Sequence, residues 1–277
     1  MPEITPKISV IMPFYNAQLF LTKAIESILN QTFSDFELIL INDASTDGSD
    51  RVVKKYLADP RIIYIKNENN QGIVHNLNYG LKTAKAEIIA RMDGDDIAVR
   101  NRFFEQFNFL KFYPEIAVVG SFVKIIDEND KKIDYRTKLV DPETIKKELI
   151  IYLPVVHPAV MFRKSVIKKV GAYRQNYLYL EDLDLWYRVV YSGYKISNVN
   201  KFLLFYRYHS GSTAHQAKTN AWKAFRLRKE TIKTFKLDLS LKQHILIYLQ
   251  LLVGVLFSGR QRQRFEGLYK KAIYHDR

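Results

Sequence analysis

The sequence contains no cysteine. That excludes a disulfide scaffold, a thiolate metal site and a cysteine nucleophile, and it suits a reducing compartment. Glycine (11) and proline (8) are sparse among 277 residues and no period recurs, which excludes collagen-like, low-complexity and repeat architectures. The start, Met1 to Pro6, has no basic segment leading into an apolar run, so no secretory signal is expected and the protein is expected in the cytoplasm. The apolar stretch 245–257 is broken by Gln250. At ~1.5 Å per residue it reaches roughly 20 Å, short of the ~30 Å hydrocarbon core of a bilayer.

What is present is ordinary for a globular chain: 47% hydrophobic and 26% charged residues, enough for one large domain or two small ones. Charge is unevenly placed. Of 43 Lys+Arg and 29 Asp+Glu, 16 and 4 fall in residues 201–277, so the first 200 residues hold 27 and 25. Of the net charge of +14, +12 (16 − 4) therefore belongs to the C-terminal quarter and +2 (27 − 25) to the rest. A basic tail attracts phosphates of nucleic acid or of anionic lipid. Nucleic acid is not expected, because the basic residues accompany no recognisable reading module and the acidic clusters upstream would repel a phosphate backbone.

The first part alternates strand and helix signals. Apolar runs at 8–15, 36–41, 62–65, 88–92 and 116–119 read as strands, with helical spacing at 17–33, 48–57, 73–84 and 99–112. Pro13 is expected at a strand end, since proline cannot donate to a central ladder. This order implies right-handed crossovers and a mainly parallel α/β sheet flanked by helices, which binds ligands at the carboxyl ends of its strands. Further on, 121–140 reads as a hairpin or irregular strands, 142–152 as a short helix, and 155–162 and 202–208 as strands. Helices are expected at 181–192, 216–236, 240–257 and after 261.

Several residues could carry chemistry, and each has a plainer reading. Asp93, Asp95 and Asp96 crowd into four positions at a strand end, which calls for a cation or strong donors. Mg²⁺ or Mn²⁺ would take carboxylate and substrate phosphate oxygens together. The plainer reading makes Asp96 the cap of a helix starting at 97. Asp43 is either a cap within Asn42–Gly48 or an acceptor for a ligand N–H. Glu181, Asp182 and Asp184 complement a helix dipole, yet a general base would look the same. His157, before Pro158 in an apolar strand, reads as a buried, satisfied histidine. His209, in a polar loop with Ser210, Ser212, Thr213 and His215, suits metal or phosphate contact.

Together these segments resemble the family-2 inverting glycosyltransferases. The resemblance runs through Ser9-Val-Ile-Met-Pro-Phe-Tyr-Asn16, Glu37-Leu-Ile-Leu-Ile-Asn-Asp-Ala-Ser-Thr-Asp-Gly48, Asn70-Gln-Gly72 and Ala90-Arg-Met-Asp-Gly-Asp-Asp96. It continues at Leu180-Glu-Asp-Leu-Asp-Leu-Trp186, with Arg188 following, and at Tyr206-Arg-Tyr-His-Ser-Gly-Ser212, covering roughly residues 7–215. It implies a GT-A-like, Rossmann-like sheet over 1–215 and a helical, basic extension over 216–277. It also implies transfer of a hexose or N-acetylhexosamine, with inversion, from a UDP-sugar to a hydroxyl of a glycan or lipid-linked glycan.

The roles that the resemblance implies are specific. Pro13 and Tyr15 would line the base pocket, and Asp43 would accept from the base N–H. Asp93 would meet the ribose, and Asp95 would ligate Mn²⁺ or Mg²⁺ on the diphosphate. Asp182 would be the catalytic base, helped by Glu181. His209 would close over the diphosphate or complete the metal shell, with Arg207 in the same region. The motif carries Gly94 between two carboxylates, which adds backbone freedom. A nucleotidyltransferase would share the alternating domain, but would show a Gly-rich basic loop where Pro13-Phe-Tyr-Asn-Ala17 stands. A non-catalytic membrane or partner-binding protein would not need Asp95, Asp182 and His209 together.

In the C-terminal quarter, Trp222, Phe225, Arg226, Arg228 and Lys229 precede the apolar stretch and Ser258–Arg264 follows it. Apolar residues flanked by basic ones point to a peripheral anchor on an anionic membrane surface, the alternative being a helix packed on the core or on a partner.

Overall fold

The computed structural model describes residues 5–209 and 217–257. The chain divides into two compact units, Met1–His209 and Ser210–Arg277. The loop expected at 210–215, the basic run after 257 and the helix expected after 261 lie outside the described residues.

Six of the strands run one way. In the first unit β1 (Ile8–Phe14), β2 (Phe36–Asn42), β3 (Ile62–Lys66) and β4 (Ile88–Arg91) are parallel neighbours. β6 (Ile116–Ile126) and β9 (Lys195–Arg207) pair in parallel further along the sheet. The short β8 (Met161–Arg163) bridges β4 and β6 antiparallel to both. β5 (Ile97–Ala98) closes the far edge antiparallel to β9. The order is β3-β2-β1-β4-β8-β6-β9-β5, with β7 (Lys132–Arg136) folded back on β6 as a hairpin. The expected mainly parallel sheet is therefore present.

Every residue of β1 and β2 is buried, as a strand covered on both faces requires. Ile8, Val10, Met12 and Phe14 enter the main core with Leu21, Ala24, Ile25 and Ile28 of α1 (Leu21–Leu29), whose spacing puts them on one helical face. Phe103 and Leu110 of α4 (Arg102–Phe112) join the same core. On the opposite face, Ile11 meets α3 (Ile73–Thr83) at Gly80. Pro13 lies inside β1, one residue from its end. The β4 ladder stops at the Ile11↔Arg91 pair, so the missing N–H of Pro13 breaks no bond there.

One buried polar device fixes the start of the sheet. Ser9 Oγ donates to Glu37 Oε1 (2.5 Å), the same oxygen accepts from Lys85 N (2.7 Å), and Ser9 Oγ accepts from Ala86 N (2.9 Å). β1, β2 and the entry to β4 are thereby locked in register.

Two expectations change. Residues 155–162 do not form one strand: a 3₁₀ turn at His157–Ala159 interrupts the run, and only Met161–Arg163 joins the sheet. Pro158 explains this, because it has no N–H for a ladder. The segment after Asp96 does not open a helix either. It makes β5, and α4 begins at Arg102. Between β7 and β9 come α5 (Pro142–Glu148), α6 (Lys164–Lys169) and α7 (Glu181–Tyr191), while α2 (Ser49–Lys54) follows β2.

The second unit holds α8 (Ala217–Phe235) and α9 (Leu241–Leu256). Ser240 caps α9 in a capping box with Gln243. The two helices run antiparallel: Phe225 stacks on Tyr248 (5.3 Å between ring centres), and Gly254 lies against Ala221. No described helix is long and apolar enough to cross a membrane.

Replacing Glu37 by Ala should strand the fully buried Ser9 hydroxyl and cost about 1–3 kcal/mol. Chemical denaturation measures it, and a loss below about 0.5 kcal/mol would contradict this role.

Candidate active site

The carboxyl ends of β1, β2 and β4 converge, and the loops there are interlocked. Asn16 Oδ1 accepts from Thr46 N (2.8 Å), Asn16 N donates to Ser45 Oγ (3.0 Å) and Ala17 N to Ser49 Oγ (2.9 Å). Gln18 N donates to Asp47 Oδ2 (3.0 Å), and Gly48 N returns a bond to Gln18 Oε1 (2.7 Å). The Asn42–Gly48 stretch thus folds against the loop after β1. Tyr15, the first residue beyond β1, is half exposed beside it.

Asp43 is buried just past β2. It does not cap its own turn; Asn42 Oδ1 takes that part by accepting from Ser45 N (2.8 Å). Asp43 instead reaches across to the segment before α3. Its Oδ1 accepts from Asn67 Nδ2 and Gln71 N (2.8 Å each), and its Oδ2 from Gly72 N (2.9 Å). Burial raises its pKa, but the donors together outweigh burial and hold the carboxyl below its ordinary value. Gly72 makes the approach possible with φ +81°. An open cleft of about 290 Å³ lined by Ala44, Ser45, Lys66, Asn67 and Glu68 adjoins this corner.

The acidic segment follows β4. One carboxylate oxygen from each of Asp93, Asp95 and Asp96 lies within 4.8 Å of the others. Arg91 is buried and grips Asp93 with both terminal nitrogens (2.8 and 2.5 Å). Asp96 is buried rather than capping: its Oδ1 accepts from Arg207 N (2.8 Å), and its Oδ2 has no hydrogen-bond partner among the described residues. Burial and then the neighbouring carboxylates push Asp96 well up and Asp93 to about 6, with Arg91 pulling Asp93 back. Three hard oxygen donors, one of them buried and unpartnered, fit Mg²⁺ or Mn²⁺. Gly94 has a different reason from the expected backbone freedom. A Cβ there would stand 2.8 Å from Phe14 Cβ, so only glycine lets the segment lie this close to β1.

Arg207 and His209 arrive from the end of β9. Arg207 is fully buried and engaged throughout: Nε donates to Asp95 O (2.8 Å), Nη1 to Asp127 O (2.7 Å), and Nη2 pairs with Asp130 (2.6 Å). Its position makes it a brace for the acidic segment. Phe20 contacts both, with the Arg207 guanidinium 4.5 Å over its ring and the His209 ring centre 5.0 Å away at a tilt of 49°. This contact brings His209 Nε2 to 3.0 Å from Asp95 Oδ2.

α7 brings Glu181 and Asp182 to the same neighbourhood at its first turn. Asp182 Oδ1 accepts from Leu183 N (2.7 Å). Burial raises the Asp182 carboxyl, offset in part by that bond and by Arg91; Asp182 in turn contributes to the rise at Asp93. Burial lifts Glu181 to about 7, and its Oε2 is buried with no hydrogen-bond partner among the described residues. Asp184 is structural: it pairs with Arg188 (3.0 and 2.6 Å), whose guanidinium also holds the carbonyls of Val170 and Ala172. His157 is buried and satisfied by Tyr173 (Nε2 to hydroxyl, 2.9 Å). Asp95, His209 and Asp182 therefore share one region of the fold.

Two residues at this site were not singled out in the sequence. Arg91 is one; a lone cation in the apolar strand before the acidic motif was its signal. Arg102 is the other. It is fully buried, donates through Nη2 to the carbonyls of Arg91 (2.7 Å) and Val160 (3.2 Å), and through Nε to Gln106 (3.0 Å). Burial pulls it down to about 9, leaving it charged at neutral pH.

The family model of Glycosyl transferase family 2 matches residues 9–171, more than half of the chain. The UDP-Gal:alpha-D-GlcNAc-diphosphoundecaprenol beta-1,3-galactosyltransferase of Escherichia coli is 31% identical over 211 residues, 75% of this chain and 76% of that one. A crystal structure of S. aureus TarS 1–349 with UDP has a TM-score of 0.70 at 19% identity, covering 91% of this chain and 72% of that one. The mannosyltransferase PcManGT of Pyrobaculum calidifontis, solved with GDP-Man and Mn²⁺, has a TM-score of 0.64 at 16% identity, covering 99% and 82%. At these identities the structural likeness speaks for the GT-A fold.

His157 gives the region a pH signature. Burial, then Arg91, hold its pKa well below 6.5, so below pH ~6.5 the unfolded chain binds a proton that the folded chain refuses. Stability from this group is complete above pH ~6.5 and falls as the pH drops toward the folded value. Between pH 6.5 and 5.5 the protein should lose about 1 kcal/mol more than His157→Gln does. Equal losses in denaturant titrations would refute the buried neutral state.

Proposed function

The chain belongs to glycosyl transferase family 2 and is a glycosyltransferase; from that premise we propose that it transfers a hexose or N-acetylhexosamine, with inversion, from a UDP-sugar to a hydroxyl of a glycan or lipid-linked glycan. The observation that carries this reading is the gathering of Asp93, Asp95, Asp96 and Asp182 around buried Arg91 at the carboxyl ends of a parallel sheet. UDP in the TarS structure, GDP-Man with Mn²⁺ in PcManGT and the UDP-Gal donor of the E. coli relative favour a nucleotide-sugar donor.

In this reading the uracil sits at the ends of β1 and β2, where Tyr15 offers a stacking face beside Pro13 and Asp43 accepts from the base N–H. The three donors already on Asp43 keep it ionised and fixed for that contact. Asp93, held by Arg91, meets the ribose. Asp95 and His209 would hold the divalent ion, with Arg207 bracing the Asp95 backbone. A bound Mn²⁺ or Mg²⁺ would spread the charge that the departing diphosphate gathers.

Asp182 is the base. The acceptor oxygen attacks the anomeric carbon, the bond from that carbon to the UDP oxygen breaks, and the acceptor proton passes to the Asp182 carboxylate. Its raised pKa suits this, since a base works best near the operating pH. Glu181, the neighbouring carboxyl with a buried free oxygen, helps to position the hydroxyl.

The second unit has a separate part in the proposal. On α9, Leu241, Ile245, Tyr248, Leu249, Leu252, Val255 and Leu256 are all exposed, and at 100° per residue they form one stripe. On α8, Lys223, Arg226, Lys229 and Lys233 are exposed along one side. An exposed apolar stripe in a strongly basic segment is the composition of a peripheral anchor on an anionic, cytoplasmic leaflet. Such a surface would bring the enzyme to a lipid-linked acceptor.

Calorimetry with UDP, with and without Mn²⁺, tests the donor site first. Tight binding that chelator removes is expected, and no binding under either condition would reject the reading. Asp95→Ala should lose the metal-dependent part of that affinity. Asp182→Asn should keep UDP affinity while turnover falls by a factor on the order of 10² to 10⁴; undiminished turnover would remove Asp182 as base. For the anchor, the full-length double variant Ile245→Glu, Leu252→Glu should no longer sediment with phosphatidylglycerol vesicles. Sedimentation equal to that of the unaltered protein would refute it.

A further inference from the structure

The turn that leads into α7 carries a residue that its backbone does not favour. Leu178 has φ −48° and ψ 128°, Tyr179 has φ +70°, and Leu180 N donates to Tyr177 O (2.7 Å). These values make Tyr177–Leu180 a type II turn with Tyr179 at its third position. That position needs φ above zero and is ordinarily filled by glycine or asparagine. A bulky side chain there is a strained outlier. The other described non-glycine residues with positive φ have readier explanations. Asn16 and Asp130 are of the types that tolerate this region. Ala172 and Lys236 follow the ends of α6 and α8, where a left-handed residue commonly closes a helix. Ala44 has only a methyl group to accommodate.

Slack in the chain does not account for Tyr179. Upstream, Asn78 Nδ2 donates to Tyr173 O (2.9 Å), Tyr173 N returns a bond to Asn78 Oδ1 (3.1 Å), and Ala172 O accepts from Arg188 (2.6 Å). Downstream, Asp184 N donates to Leu180 O (2.9 Å) and opens α7. The turn is therefore held at both ends. The side chain is not held in the same way. Tyr179 is exposed, and among the described residues neither its hydroxyl nor its ring has a hydrogen-bond or aromatic partner.

This ring stands at the entrance to the proposed base. Tyr179 precedes Asp182 by three peptide units, which limits their Cα atoms to a separation of roughly 11 Å. In the first turn of α7, Glu181, Leu183 and Asp184 are buried, and Asp182 alone is partly exposed. A hydroxyl that reaches Asp182 must therefore arrive from solvent, at a corner that Tyr179 borders.

We propose that the ring of Tyr179 is the platform on which the acceptor's sugar ring stacks while its hydroxyl meets Asp182. The proposal rests on the glycosyltransferase reading and adds to it a residue that selects and orients the acceptor. A pyranose has a face of C–H groups and an edge of hydroxyls. Tyrosine matches both with an apolar face and a polar tip, and it has few rotatable bonds to freeze on binding. A left-handed tyrosine where glycine would relax the turn is the kind of local conflict that a fold retains at a functional site. The same ring would suit the sugar of the donor, so the test separates the two.

The full-length protein, saturated with UDP and Mn²⁺, is titrated with methyl N-acetyl-α-D-glucosaminide and with methyl α-D-galactopyranoside, and binding is followed by saturation-transfer NMR. Two variants are compared with it. Tyr179→Asn removes the ring and keeps a residue suited to the turn, whereas Tyr179→Phe keeps the ring. UDP affinity and the thermal midpoint are measured for each. Tyr179→Asn should lose about fivefold or more in affinity for the glycoside that the unaltered protein binds. It should also raise the thermal midpoint by about 2 °C and leave UDP affinity unchanged. Tyr179→Phe should retain most of the glycoside affinity. Equal glycoside affinity in Tyr179→Asn, an equal loss in both variants, or no binding of either glycoside to the unaltered protein would overturn the platform. A lowered midpoint in Tyr179→Asn would mean that the ring serves packing, and a loss confined to UDP would give it to the donor; either result overturns the acceptor role. Failure of the unaltered protein to bind UDP would instead strike the donor reading on which the platform depends, and that result is seen before a glycoside is added.

Discussion

The bidentate grip of Arg91 on Asp93 is the interaction on which the site depends. Three carboxyls within four residues, with Asp182 and Glu181 beside them, would repel one another and drive that end of the sheet apart. A buried guanidinium is costly to desolvate, and it persists here because Asp93 takes both of its terminal nitrogens. Arg102 secures the same spot from beneath through the Arg91 carbonyl, and Arg207 from the side through the Asp95 carbonyl and the Asp96 carboxyl. Removing one partner of such a pair leaves a buried charge unmatched, which typically costs about 3–5 kcal/mol. The arginines let the fold hold its carboxylates together, one oxygen of each within 4.8 Å of the others.

The end of the site formed by the loops after β1 and β2 is organised by a different economy. Instead of ion pairs it uses reciprocal side-chain to backbone bonds between the loops after β1 and β2, and a carboxylate, Asp43, that collects three donors from the segment before α3. Both arrangements keep polar groups rigid without filling the space in front of them. Rigidity of this kind is what preorganised recognition requires, since little ordering is left to be done on binding.

The helical unit works by another principle. Among the described residues α8 and α9 bury Ala221, Leu227, Thr231, Ile247 and Gly254, and α9 leaves a stripe of large apolar side chains outside. Single exposed leucines are commonplace, whereas seven such residues in helical register are not.

Much of this was already written in local sequence. The alternation of apolar runs and helical spacings fixed the parallel sheet, because period and burial are properties of neighbouring residues. The acidic motif, the Glu181–Asp182 pair and His209 each had a plainer local reading, and they stood out only because several such segments, in order along the chain, together resemble one family. What local pattern could not supply was closure over distance. His209 and Asp95 are 114 residues apart in the chain, and Asp43 finds its donors 24–29 residues away. Asp96 read as a cap and lies buried under Arg207; the apolar run at 155–162 read as a strand and is broken by a 3₁₀ turn at Pro158. Gly94 read as freedom and is a contact with Phe14. Residue type and spacing determined which groups this protein would bring to its site. Only the packing of the sheet decided which carboxylate would be gripped, braced or left open, because those outcomes depend on partners that are remote in the chain and adjacent only once it has folded.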